Sequence, residues 1–211
     1  MFALLYCLGY QHDYRLVALA GLLCVTASGA AMLLLQHTLA SDGADRHRWT
    51  AIAALSTGVG IWATHFTAML AYDPGVVLGY AFALTVLSLG IAVLACTLAI
   101  YVAARDGRRH VALAGLICGG GVVLMHYVGM AAVTVRGIIR FAPEGIAFSI
   151  AAALLPMIAA FQLATASRRP AATLLACVLF VASILMLHFT GMAAITIIPD
   201  AGPLHRPDLL S

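Results

Sequence analysis

Six stretches of roughly 20 or more residues carry almost no charge, and each is long enough to cross a bilayer core about 30 Å thick as a helix rising about 1.5 Å per residue. They run Leu16–Leu35, Thr50–Tyr72, Gly75–Ala104, Val111–Val135, Ile146–Ser167 and Ala171–Ile198, separated by segments rich in Arg, Asp, Gly and Pro. Across the 211 residues 64% are apolar and only 9% charged, which excludes an ordinary water-soluble globule. The expected fold is therefore all-α, a polytopic membrane bundle of six transmembrane helices. Residues 1–13 have too short an apolar core, and no basic start, for a cleaved signal peptide.

Charge serves here to orient the chain. All 11 basic residues are Arg, and the net charge of +3 is far too small for a nucleic-acid footprint. The segments joining spans 1 and 2, 3 and 4, and 5 and 6 hold seven of them (Arg46, Arg48, Arg105, Arg108, Arg109, Arg168, Arg169). Four fall on the other side (Arg15, Arg136, Arg140, Arg206). The positive-inside rule then puts the first set in the cytoplasm and the N-terminus outside. Four of the five cysteines (Cys24, Cys96, Cys118, Cys177) lie within apolar runs and none forms a CxxC pair, so neither a disulfide framework nor a zinc ribbon is written here.

The chain repeats itself three times. Thr64-His65-Phe66-Thr67-Ala68-Met69, Met125-His126-Tyr127-Val128-Gly129-Met130 and Leu187-His188-Phe189-Thr190-Gly191-Met192 share the pattern His, aromatic, any, small, Met, at intervals of 61 and 62 residues. Each interval is one helical hairpin, so the bundle is three repeated hairpins entering the membrane in the same sense, with the three motifs at one depth. Gly58 and Gly60 precede the first His as Gly119 and Gly121 precede the second, where the third repeat has Val181 and Ser183. Small residues at this spacing let membrane helices approach closely.

Residues four apart share a helix face, so His65/Met69, His126/Met130 and His188/Met192 each offer an imidazole and a thioether together. Imidazole suits copper, zinc, iron or nickel, whereas a thioether favours copper, so copper best explains both residue types. His12 and Asp13 lie at the same surface as candidate additional ligands. Met125 and Met186 are weaker candidates because neither position repeats as Met in all three units, and His37, His47, His110 and His205 read as solvated polar residues.

These three motifs, with the opening Gly9-Tyr10-Gln11-His12-Asp13-Tyr14-Arg15-Leu16-Val17, resemble the bacterial MHYT sensor domain over about residues 9–198. The resemblance implies a membrane sensor that binds copper through His65, Met69, His126, Met130, His188 and Met192 and senses oxygen, carbon monoxide or nitric oxide. It also implies a fused or partnered cytoplasmic output acting on cyclic di-GMP. Only the second repeat has Met-His-Tyr, and Val128 stands where the motif has Thr. Residues 199–211 form a tail outside the last helix, and the chain is expected to be either a piece of a longer one, with a further helix or output domain to follow, or a stand-alone membrane unit. A copper carrier and a haem protein with two axial His ligands are the alternatives. No acidic pair, Ser/His/Asp set or phosphate loop suggests an enzyme.

Overall fold

The computed structural model describes residues 12–105 and 107–199. The opening Gly9–Gln11 stretch, His205 and the tail beyond Pro199 lie outside the described residues. Among the described residues six helices follow one another: α1 (Tyr14–Ala40), α2 (Gly43–Ala71), α3 (Phe82–Ala103), α4 (Arg108–Ala131), α5 (Pro143–Ala166) and α6 (Pro170–Ala193). Their packing is closest within the hairpins α1–α2, α3–α4 and α5–α6, intermediate between α2 and α3 and between α4 and α5, and slightest between α6 and α1, where the ring closes.

Five of the helices are long and apolar enough to cross a membrane, which makes this a multi-pass membrane protein. The sixth, α2, is 29 residues long but less apolar, since it begins Gly-Ala-Asp-Arg-His-Arg and carries further Ser, Thr and His along its length. Helix starts follow ordinary local chemistry. Asp13 caps α1 by accepting from the Arg15 backbone N–H at 2.8 Å, and Pro143 and Pro170 occupy the first turns of α5 and α6, where a missing N–H costs nothing. Gly107, at φ 107°, supplies the left-handed turn between α3 and α4.

The expected spans overrun the helices at one end. Residues 133–135 and 195–198 were continuous with apolar runs, but they form strands: β1 (Leu78–Tyr80) pairs with β2 (Val133–Val135), and β3 (Gly137–Phe141) with β4 (Ile195–Pro199), both antiparallel. Hydropathy cannot separate a helix end from a strand, whereas the β-branched runs Val-Thr-Val and Ile-Thr-Ile-Ile favour the strand. His12 makes an equivalent isolated bridge to Tyr72. Each repeat is thus an extended segment, two helices and a returning extended segment zipped to the first. Matched backbone bonds mark the equivalence: Asp13 N–H to Ala71 O (2.8 Å), Ala81 to Ala132 (2.8 Å) and Ala142 to Ala194 (2.9 Å). Pairing the segments that enter and leave the helices satisfies backbone groups that water would otherwise have to reach.

The glycines work as spacers. A Cβ on Gly60 would lie 2.5 Å from Ala27 Cβ on α1, and one on Gly121 would lie 2.1 Å from Ala95 Cβ on α3, so these two seat each hairpin on itself. Gly58 and Gly119 instead face the next hairpin, where a Cβ would meet the Val93 backbone at 2.7 Å and the Leu154 side chain at 3.0 Å. In the third repeat Ser183 replaces the intra-hairpin glycine and donates to Ala153 O at 2.7 Å. Small residues and a few large ones (Met32, Phe161, Phe180) fill the core, while Leu22, Leu33, Leu94, Leu155 and Leu174 point outwards as a lipid-facing surface should.

Candidate metal centre

The three motif histidines come together on the bundle axis. His65 from α2, His126 from α4 and His188 from α6 are all buried, and their Nδ1 atoms face one another: His126 to His65 at 3.3 Å and His65 to His188 at 3.4 Å. One ligand atom from each lies within 4.8 Å of the others, so the group can hold a metal ion. Their rings stand nearly perpendicular, with interplanar angles of 71°, 75° and 83°. Repetition explains the convergence: the same position on the second helix of each hairpin faces the axis, and three hairpins surround it.

Each outward nitrogen, Nε2, is buried without a hydrogen-bond partner among the described residues. What it meets is the small residue of the neighbouring repeat. A Cβ on Gly129 would sit 2.6 Å from His65 Nε2, and one on Gly191 would sit 2.6 Å from His126 Nε2. The glycines three residues after His126 and His188 therefore make room for the imidazole of the preceding repeat. The motif itself was the signal for this, but spacing alone reads that position as helix packing. In the first repeat the small residue is Ala68, also buried.

Met69, Met130 and Met192 lie one turn further along, where they are buried together in a separate cluster with Tyr72 and Val133. They roof the His trio beneath the strand layer, and Tyr80 on β1 closes the edge by donating to Met69 O at 3.2 Å. Burial pushes the Tyr80 phenol pKa up, keeping it a donor. His12 is buried beside this layer, its ring 5.4 Å from Tyr72 and 5.8 Å from Phe189. Asp13 is exposed and spends a carboxylate oxygen on the α1 cap, so it faces away from the trio.

Around the trio, the residues before each His (Thr64, Met125 and Leu187) line one apolar cavity of about 160 Å³ that also touches all three histidines. Met125 is buried there; Met186 is exposed on the outside of α6. Nearer the Arg-rich end, Met32, Cys96 and Cys118 line a second, much smaller void. Their meeting was not visible in sequence, because they come from three helices with no shared motif. His37 packs on Trp49 at 4.3 Å and His47 lies 3.4 Å from the Tyr101 hydroxyl, both remote from the trio.

Residues 58–116 and 119–177 each match MHYT, described as a bacterial signalling protein N-terminal repeat. The two matches start 61 residues apart, at Gly58 and Gly119, which is the period of the His motifs. Over its whole length the chain is 37% identical to an uncharacterized signaling protein of Caulobacter vibrioides, covering 26% of that protein. It is 38% identical to the cyclic di-GMP phosphodiesterase NbdA of Pseudomonas aeruginosa over 89% of the chain and 25% of the relative. It is 33% identical to the bifunctional diguanylate cyclase/cyclic di-GMP phosphodiesterase MucR of the same organism, over 87% of the chain and 28% of the relative. The chain thus spans about a quarter of the length of these relatives. No solved structure matches it. The threefold motif, the period and both repeat matches agree, and the chain belongs to the MHYT family of bacterial membrane signalling domains.

Proposed function

We propose that this chain is the membrane sensor module of a signalling protein, holding copper at His65, His126 and His188 and detecting a diatomic gas (oxygen, carbon monoxide or nitric oxide) there. The observation that carries the reading is the spacing of the inward nitrogens. Ligand nitrogens about 2.0–2.1 Å from a tetrahedral metal stand about 3.3 Å apart, and the Nδ1 pairs here are 3.3 and 3.4 Å apart. Three imidazoles, with no carboxylate in the group among the described residues, fit a borderline or soft cation, and the adjacent layer of Met69, Met130 and Met192 supplies thioethers, which favour copper over zinc. When bound, copper would supply a soft centre able to bind a diatomic gas. The chain's own residues bring the three imidazoles together, exclude water with the Met and strand layers, and place His12 at the rim as a fourth donor.

All six helices span the membrane in this reading, with the His end outside and the Arg-rich loops in the cytoplasm. Residues 9–198 form the sensor, and a cytoplasmic output, for which the cyclic di-GMP enzymes among the relatives are the guide, would follow a further membrane crossing beyond residue 199. Metal analysis and an absorption spectrum of purified protein test the proposal. Copper should be present at about one ion per chain, and His126→Ala should lose it while the helical content is kept. Protein that stays metal-free and resists reconstitution overturns the reading. Impermeant thiol labelling of cysteines placed at Asp73 and Arg168 in whole cells tests the orientation, with Asp73→Cys expected to react and Arg168→Cys to be protected.

A copper carrier is the second reading, favoured by the soft side chains Met32, Cys96 and Cys118 meeting on the axis towards the Arg-rich end. Copper flux into proteoliposomes would establish it. A haem has less support, since axial imidazoles need a macrocycle between them and these nitrogens face one another directly.

A further inference from the structure

The three seams between hairpins ought to be alike, and one is not. At the α2–α3 seam, Gly58 lets the helices close, and Trp62 donates to Ser88 Oγ at 3.1 Å and Thr85 O at 3.2 Å. At the α4–α5 seam, Gly119 does the same, and the Tyr127 hydroxyl bonds Ser149 Oγ at 2.6 Å. Counting from the matched caps Asp13, Ala81 and Ala142, the residue at Ser88 and Ser149 is Ala20 in α1, and the residue at Leu89 and Ile150 is Gly21. On α6 the glycine becomes Val181, the residue at the position of Trp62 is Leu185, and the residue at the position of Tyr127 is Phe189, which has no hydroxyl. At this level the α6–α1 seam therefore lacks the spacer glycine, the serine hydroxyl with its hydrogen bond, and the Leu or Ile side chain that Gly21 replaces, while the Gln36–Thr173 bond joins the same two helices at their other end. It is also the seam with the slightest packing.

The cavity of about 160 Å³ lies in this gap. Its outer wall is Val17, Gly21, Leu185 and Phe189, all half-buried at the bundle surface; its inner wall is His65, Met125, His126 and His188, all buried. The Thr64 hydroxyl that borders it is already spent on Gly60 O at 2.9 Å. A Cβ added at Gly21 would meet nothing within 4 Å, so the space beside this glycine is open. Apolar cavities of about 150 Å³ stay dry and take up benzene or xenon.

We infer that the α6–α1 seam is a lateral chamber, reached from the lipid side, that admits one small, uncharged, apolar molecule and holds it against the His trio. The chamber follows from the seam itself; that its occupant acts on a bound metal rests on the sensor reading above. A gas dissolves better in hydrocarbon than in water, so a side opening to lipid presents the site with the richer reservoir, while the Met and strand layers cover the end.

Xenon, which needs no metal, tests the chamber on the full chain in lipid nanodiscs. The xenon-129 resonance should show a saturable shift with wild-type protein. Gly21→Leu should abolish that shift and Gly21→Val reduce it at least several-fold. Gly29→Leu, on the same helix at a glycine that likewise meets nothing within 4 Å but does not border the cavity, should retain it. No saturable shift in the wild type, or an equal loss with Gly29→Leu and the Gly21 variants, overturns the chamber. If Gly21→Leu does not fold, the Gly21→Val comparison decides on the same criterion. Copper measured on the same samples separates the two claims: xenon uptake without copper overturns the sensor reading alone, and copper without xenon uptake overturns the chamber alone.

Discussion

Gly191 lies so close to the His126 ring that a methyl group on its Cα would come within 2.6 Å of Nε2. The backbone of one repeat thereby fixes where the imidazole of another can stand. Gly191→Ala should push the His126 ring off its present position while leaving α6 intact, because Ala is the better helix former. We expect copper affinity to fall about 10- to 100-fold, the range for disturbing the supports of a metal ligand. Competitive titration with a copper chelator, with circular dichroism as the folding control, measures this; unchanged affinity would show that the glycine only packs.

His12 occupies the strand position that Tyr80 and Phe141 hold in the other two repeats, as the registers opposite Tyr72, Val133 and Ile195 show. An aromatic ring therefore fits there. His12→Phe should keep the thermal midpoint within a few degrees and yet weaken copper binding about tenfold or more, if the imidazole is a donor rather than a filler.

The Tyr127–Ser149 hydrogen bond ties the second hairpin to the third at 2.6 Å. Tyr127→Phe should cost about 0.6 kcal/mol, the average measured for such bonds between membrane helices. Denaturation in mixed micelles reads the loss. Copper content should not change, and a fall in it would mean that the seam supports the ligand geometry.

Gln36 fastens the ring at the opposite end. Its side-chain amide shares two N–H groups among Ala164 O at 3.0 Å, Ser167 O at 3.3 Å and Thr173 Oγ1 at 3.0 Å, joining α1 to the end of α5, the turn and the start of α6. Gln36→Leu should leave those acceptors without their donor and loosen the weakest seam. The expected loss is about 1–3 kcal/mol for buried polar groups left unmatched. Faster proteolysis at residues 167–169 than in wild type would report it; equal rates would show that water replaces the amide.

Much of this architecture was legible because membrane helices are written in length and apolarity, and because a triplicated motif can be read by comparing the chain with itself. That His65, His126 and His188 share one depth follows from parallel hairpins. Their meeting on one axis needs ring closure, which no single hairpin encodes. The strands were hidden for a physical reason: Val133–Val135 and Ile195–Ile198 are as apolar as the helices they follow. Asp13 read as a possible ligand because a carboxylate beside a His looks like one, yet its first use is local, at a helix start. The open seam was written in Ala20, Gly21 and Val181, but only as departures from a pattern whose partners had not yet been located.

The zipped repeats have a consequence for how such a centre can be built or lost. Every hairpin contributes one imidazole, and the second and third each make room for the ring of the one before, so one hairpin has no partial version of the site and two leave one ring without its neighbour. Copper uptake by truncated chains should be all or nothing, appearing only with the third hairpin. An ancestral single hairpin could have used the same centre only as a trimer of separate chains. In one polypeptide the three copies need not stay alike, and the α6–α1 boundary is where they differ most.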